Sequence, residues 1–384
     1  MNIHKRLNKV ATSYTPGLKV LKKTLFKTKR ILPLKGNVHV DIGQDITPDT
    51  IVASTNLPGN VQMVKLSNIL NIEPKDVENA LKVREGDSVQ KGEMIAETEG
   101  VFGFFKSSFS SPIDGIIESV SSKTGRIIIR EKPIPVEIDG YVKGVVDKVI
   151  PEEGVVVKSS AAFIQGIFGI AGEKKGVVSM ISSSPEEELH EDQITSEMKG
   201  KILIGGSFVS IQAYKKALQY DVAGIVVGGF NYYDLKEILG YNLGVAITGT
   251  EKLNTALIVT EGYGNIPMSH STFSLLKDHD NKLASINGAT QIRAGVIRPE
   301  IVIPLNSQMK EGENTTNDSN HGISIGSVVR IIRSPYFGKI GEVVSLPPEL
   351  QQMESETMVR VAEIKVNEEN FLIPRANLES VETK

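Results

Sequence analysis

The sequence predicts a multidomain α+β protein that is mostly β. Three observations lead there. At 384 residues the chain exceeds one ordinary hydrophobic core, so two to four domains are expected. Its 35 glycines and frequent Val and Ile favour strands and tight turns over long helices. Near residue 200 the pattern changes from short strands and turns to strands alternating with helical segments, which implies a mainly parallel sheet with right-handed crossovers.

Taken in order, residues 1–36 read as a basic N-terminal tail. The first 40 residues hold ten Lys or Arg and no Asp or Glu, against a net charge of −3 for the whole chain. Such a run is either a solvated tail, a strand that docks on an acidic surface, or a contact with phosphates of nucleic acid or anionic lipid. Lys22, Lys23, Lys27, Lys29 and Arg30 are its candidate contacts. Leu18, Val20, Leu21, Leu25 and Phe26 make no clean helical stripe, which disfavours the membrane version.

Residues 37–199 read as strands and turns with a β extension. Gly43 to Ala53 aligns with Gly86 to Ala96, each with a turn glycine, an apolar residue three positions later, a second turn and a closing apolar pair. The run Glu85-Gly-Asp-Ser-Val-Gln-Lys-Gly92, followed by Ser111-Pro-Ile-Asp-Gly115, resembles the biotinyl/lipoyl-type barrel-sandwich hybrid, in the versions found in RnfC and NqrA subunits of redox-driven ion pumps. In biotin and lipoyl carriers that resemblance places a modified lysine between the two motifs. Lys106 is the lysine of that interval, but the Glu-Ala-Met-Lys-Met context is absent, so the resemblance implies the fold and a docking role and no attached cofactor. Phe102, Phe104, Phe105 and Phe109 in the same loop either meet a partner or plug a neighbouring core.

Residues 200–305 form the predicted α/β domain. Strands are expected at Lys201 to Ile204, Ala223 to Val227, Leu243 to Ile247 and Ala256 to Thr260, with helices over Val209 to Tyr220 and Tyr232 to Leu239. Ala213, Ala217 and Leu218 face inward in the first helix. The turns Gly205-Gly206-Ser207, Gly228-Gly229-Phe230-Asn231 and Thr248-Gly249-Thr250 fall at the carboxyl ends of these strands, where ligands usually sit. Gly205, Gly206, Ser207, Gly228, Gly229, Asn231, Thr248 and Gly249 are therefore candidates to hold a phosphate or carboxylate, with tight packing turns as the other reading. None is a full dinucleotide or Walker loop.

Residues 306–322 are polar and turn-rich and read as a flexible linker. Residues 323–384 follow as a terminal barrel. Gly326-Ser-Val-Val-Arg-Ile-Ile-Arg-Ser-Pro-Tyr-Phe-Gly-Lys-Ile-Gly-Glu-Val-Val344 resembles the KOW motif of ribosomal proteins and NusG-type elongation factors, a small Src-homology-3-like barrel that binds RNA, DNA or protein. Arg330, Arg333, Tyr336, Phe337 and Lys339 make the candidate patch, with aromatic faces for stacking and cations for phosphates. The barrel carries seven basic and nine acidic residues, which opposes purely electrostatic binding of nucleic acid.

The absence of Cys excludes disulfides, thiolate nucleophiles and Cys-ligated metal sites, and fits a reducing compartment. Histidines 4, 39, 190, 270, 279 and 321 are scattered without metal-ligand spacing. Ser269-His270-Ser271 lacks a visible nucleophile elbow, and Arg293 with Arg298 is either a carboxylate clamp or a set of surface ion pairs. No apolar stretch reaches bilayer-spanning length and no secretory signal is evident, so a cytoplasmic protein is expected. The expected function is that of a non-catalytic adaptor without cofactor or metal, docking on a ribonucleoprotein, transcription or other large assembly. The alternative is an accessory subunit of an enzyme or redox complex with an anionic small ligand at the glycine turns.

Overall fold

The computed structural model describes residues 18–99, 106–240, 248–291, 297–306, 323–332, 335–336, 338–352 and 358–380. Among these, 47% lie in strands and 15% in helices, so the protein is a β-rich α+β fold built from several sheets. No helix among them is long and apolar enough to cross a membrane.

Among the described residues the largest sheet has thirteen strands. Its parallel part runs Glu173–Met180, Lys201–Ile204, Gly224–Phe230, Ala256–Tyr263, each next to the one before. Three helices accompany these strands, and each starts on a side-chain cap. Ser210 accepts from Ala213 N–H at 3.1 Å to open Ile211–Gln219, whose buried Ala213, Tyr214 and Ala217 face the core. Asn231 opens Tyr232–Leu239 by accepting from Tyr233 N–H. Ser269 opens His270–Asp278 in the same way. The segment expected as a third strand, Leu243 to Ile247, lies outside the described residues.

On its other side Glu173–Met180 pairs with Leu283–Asn287, which leads through Glu300–Pro304 to the twelve-residue strand Gly154–Gln165. The boundary expected at 199/200 therefore falls between neighbouring strands of one sheet. The long strand serves two cores. Ala162 and Ile164 point into the α/β core, whereas Val155, Val157, Ala161 and Phe163 line a second one with Val40, Val52 and Tyr141.

The basic segment is a strand over Val20–Ile31, paired antiparallel with Gly154–Gln165 from Val20↔Ile164 to Ile31↔Gly154. Several of its side chains meet groups of the strands beside it. Phe26 stacks on Phe163 at 5.7 Å between centroids, and Lys27, Arg30 and Lys35 pair with Asp147, Glu173 and Glu152.

Strand Ile51–Leu57 pairs with Ile134–Asp139 and ends on the couple Leu57↔Ile134. Between them the chain builds a separate unit with its own core of Val64, Leu66, Ile95, Ile117, Ile127 and Ile129. Here the two motifs singled out in the sequence lie face to face. Gly92 N–H donates to Ser111 O and Ser111 N–H to Glu93 O, both at 2.8 Å, while Asp114 accepts from Lys91 N–H. Gly86 closes its turn with φ +92, a conformation glycine adopts without strain.

Among the described residues the C-terminal unit has six strands around Val329, Ile331, Val343, Ala362, Ile364 and Leu378. It packs against the α/β part through its own residues. Ile332 joins the α/β core, and Gly262 approaches Gly338 so closely that a Cβ on Gly262 would lie 2.7 Å from Gly338 O.

Candidate functional site

The C-terminal unit meets the large sheet at a buried charge cluster. Arg330 is 2% exposed. Its Nη2 donates to Glu261 Oε2 at 2.7 Å and its Nη1 to Glu379 Oε2 at 3.3 Å. Arg298 Nη2 donates to the other Glu379 oxygen at 3.0 Å. Glu261 Oε1 in turn accepts from Ser269 N–H, the cap residue of helix His270–Asp278. One guanidinium thus joins the C-terminal unit to the last parallel strand and to a helix start. Burial pushes the Glu379 carboxyl up although two arginines pull it down, so desolvation outweighs pairing at that residue.

This arrangement corrects the role expected for Arg330. It faces the protein interior and is unavailable to phosphates. Arg298 does clamp a carboxylate, but that carboxylate is the chain's own Glu379. Arg333, Phe337 and Arg293 lie outside the described residues. What remains on the surface is Lys339, whose Nζ sits 5.4 Å from the Tyr336 ring centroid and 5.0 Å from that of Phe371. The two rings are 4.6 Å apart. Phe371 reaches this place because Glu369–Pro374 pairs with Met358–Val366, a partnership no local motif announces.

The glycine turns are packing junctions. Cβ atoms on Gly228 and Gly229 would overlap the carbonyl oxygens of Ile266 and Gly264, and one on Gly206 would overlap those of Glu187 and Ser184. Segments 184–187 and 264–268 therefore fill the crevice where a ligand was expected. The N–H groups are taken as well: Gly205 donates to Val226 O, Gly228 to Gly206 O and Ser207 to Glu187 O. Ser207 Oγ donates to Glu186 O, and Thr248 Oγ1 to Gly169 O. Gly249 N–H is held by Glu251, and the Asn231 side chain is used as a helix cap.

The basic strand divides by face. Arg30 turns inward, with Nη1 at 2.6 Å from Glu173, Nη2 at 3.2 Å from Asp139 and the guanidinium 5.4 Å from the Tyr141 ring. Lys175 bridges Asp139 and Asp49 beside it. Lys22, Lys27 and Lys29 are exposed, while Lys23 is half-buried. Lys106 is exposed beside the hairpin Met94–Glu97/Ser108–Ser110, and Phe102, Phe104 and Phe105 lie outside the described residues. Among the described residues no three His, Asp or Glu side chains gather as a metal site. His270 lies 3.8 Å from Glu186, and the Ser269 hydroxyl bonds Thr272 and Ser271 instead.

Beside Arg30, buried Tyr141 donates from Oη to Glu300 Oε1 at 3.1 Å. Burial lifts the Glu300 carboxyl from its ordinary 4.5 to about 7. The native state thus holds this proton more tightly than the unfolded chain does. The group's contribution is most favourable below about pH 4.5 and is lost as pH rises through about 7. Glu300→Gln should therefore raise unfolding free energy at pH 8 by about 2–3 kcal/mol and change little at pH 4.5. Urea titrations at the two pH values test this, and an unchanged pH dependence in the variant would remove Glu300 as its source.

No family model matches the chain, and no curated protein matches its sequence.

Proposed function

We propose that the protein is a docking subunit of a larger assembly, presenting its C-terminal unit to a partner protein. The observation that carries this reading is the Lys339 ammonium lying over Tyr336 and Phe371 on a unit anchored by buried ion pairs. A fixed cation over two aromatic faces at a surface is suited to recognition, because its ordering cost is met before binding. With Arg330 in the interior, Lys339 is the exposed cation among the described residues of this patch, which favours a protein over a polyanion there. The resemblance of Gly326 to Val344 to KOW barrels supports the same reading. The glycine turns give little support to an anionic small ligand, since the N–H donors of Gly205, Ser207, Gly228 and Gly249 are engaged within the chain.

Affinity capture from native lysate with Lys339→Glu beside the parent chain tests the proposal. The partner retained by the parent should fall at least about tenfold in the variant, the effect of losing about 1.4 kcal/mol. Equal capture by both chains would show that this face is not the docking surface.

A further inference from the structure

We propose that the sheet face around residues 27–31, 154–158 and 145–150, at the end of the long strand away from the α/β core, is a contact surface for the phosphate backbone of nucleic acid. This goes beyond the docking role of the C-terminal unit and does not depend on it. Strand register assembles the face from residues far apart in the chain. Lys27 lies opposite Lys158, Lys29 opposite Val156, and Val156 opposite Lys148. Residues opposite one another in a ladder share a face, as do residues two apart on one strand. Lys27, Lys29, Lys148 and Lys158 therefore project from the same side. The alternate positions Phe26, Val155 and Val157 turn into the core behind it.

Same-face positions recur about every 6.7 Å along a strand and about every 4.8 Å across strands, so the four lysines crowd one small area. Opposed lysines repel, and a carboxylate lies between two of them. Asp147, at the irregularity between Val146 and Lys148, lies 3.0 Å from Lys27 Nζ and 2.9 Å from Lys158 Nζ. Those two ammonium groups hold the Asp147 carboxyl below its usual range, so it stays charged and keeps both heads in place. The row Lys27–Lys158–Val145 continues to exposed Asp45, so among the described residues register places four lysines and two carboxylates on this face, with the cations in excess. Lys29 and Lys148 are exposed.

The partner class follows from what exposed lysines can do. An isolated lysine–carboxylate pair at a protein surface adds little, with a median of about 0–1 kcal/mol. A polyanion is different, because each neutralised phosphate releases condensed counterions and the gains accumulate. The face carries lysines rather than arginine forks, as expected of contact with phosphates rather than with base edges.

Anisotropy titrations of the full chain against a labelled mixed-sequence duplex and a single-stranded RNA, over a series of salt concentrations, test the inference. Lys29→Gln with Lys148→Gln should reduce the salt slope by about 1.5 and weaken binding about thirtyfold at about 0.1 M salt. Lysine footprinting of the parent chain should show Lys29 and Lys148 protected by nucleic acid, a readout that needs no variant to fold. The inference is overturned if the parent shows no salt-sensitive binding, or if the double variant binds as the parent does, which would place the contact on other cations. It is also overturned if polyglutamate or anionic vesicles bind while the duplex and RNA do not.

Discussion

Arg330→Ala is expected to lower the unfolding free energy by about 3–5 kcal/mol, a large effect for one side chain in a strand that reads as surface. The reason is what it leaves behind. Glu379 is 0% exposed and Glu261 6% exposed, and the guanidinium reaches both through separate nitrogens. Without it, among the described residues Glu261 has no paired cation and Glu379 keeps Arg298, and neither carboxylate can be rehydrated without opening the junction. Arg330→Lys should rescue little, because one ammonium cannot serve two carboxylates with the spread of a planar fork. Urea unfolding should show the loss, with faster hydrogen exchange in Val328–Ile331 and Ala256–Tyr263. An Arg330→Ala chain as stable as its parent would mean that the cluster contributes no net stability.

Gly229→Ala is expected to cost about 3 kcal/mol or more, or to prevent folding. Its Cβ would overlap the Gly264 carbonyl oxygen and lie 3.0 Å from Ile266 N, both backbone atoms that cannot rotate away. Gly86→Ala provides the contrast. That glycine has φ +92 and nothing within 4 Å of the added Cβ, so the cost is limited to backbone strain of about 1–2 kcal/mol. Thermal unfolding of the two variants should separate widely. If Gly229→Ala melts no earlier than Gly86→Ala, segment 264–268 does not fill the turn in solution.

The parts legible in the sequence were those set by local chemistry. Strand Lys201–Ile204, helix Tyr232–Leu239 and the inward Ala213 and Ala217 follow from period and composition. What escaped depends on pairing over long separations. Val20–Ile31 mixes cations and apolar residues irregularly, and its identity as a strand comes from Gly154–Gln165. Glu173–Met180 has mixed exposure, so nothing local shows its parallel neighbour at Lys201–Ile204. Arg330 and Glu261 are 69 positions apart, and each looks like an ordinary surface charge until the sheet brings them together. A cue was present in Val328-Val-Arg-Ile-Ile332 and Ala256-Leu-Ile-Val-Thr-Glu261, where a charge interrupts or ends an apolar strand. The glycine turns were seen and their occupant was not, because the filling segments lie elsewhere in the chain.

The couple Leu57↔Ile134 makes the chain leave and re-enter the parent framework at one point. The unit between them is topologically a cassette. Its core is its own, and the ladder of Ile51–Leu57 with Ile134–Asp139 would keep its register if a tight turn took the cassette's place. Variation in the size of this insert is therefore open to evolution and to engineering without rewriting the sheet beneath it. A passenger placed there would share the same anchorage, carried by a framework whose other contacts are made independently of it.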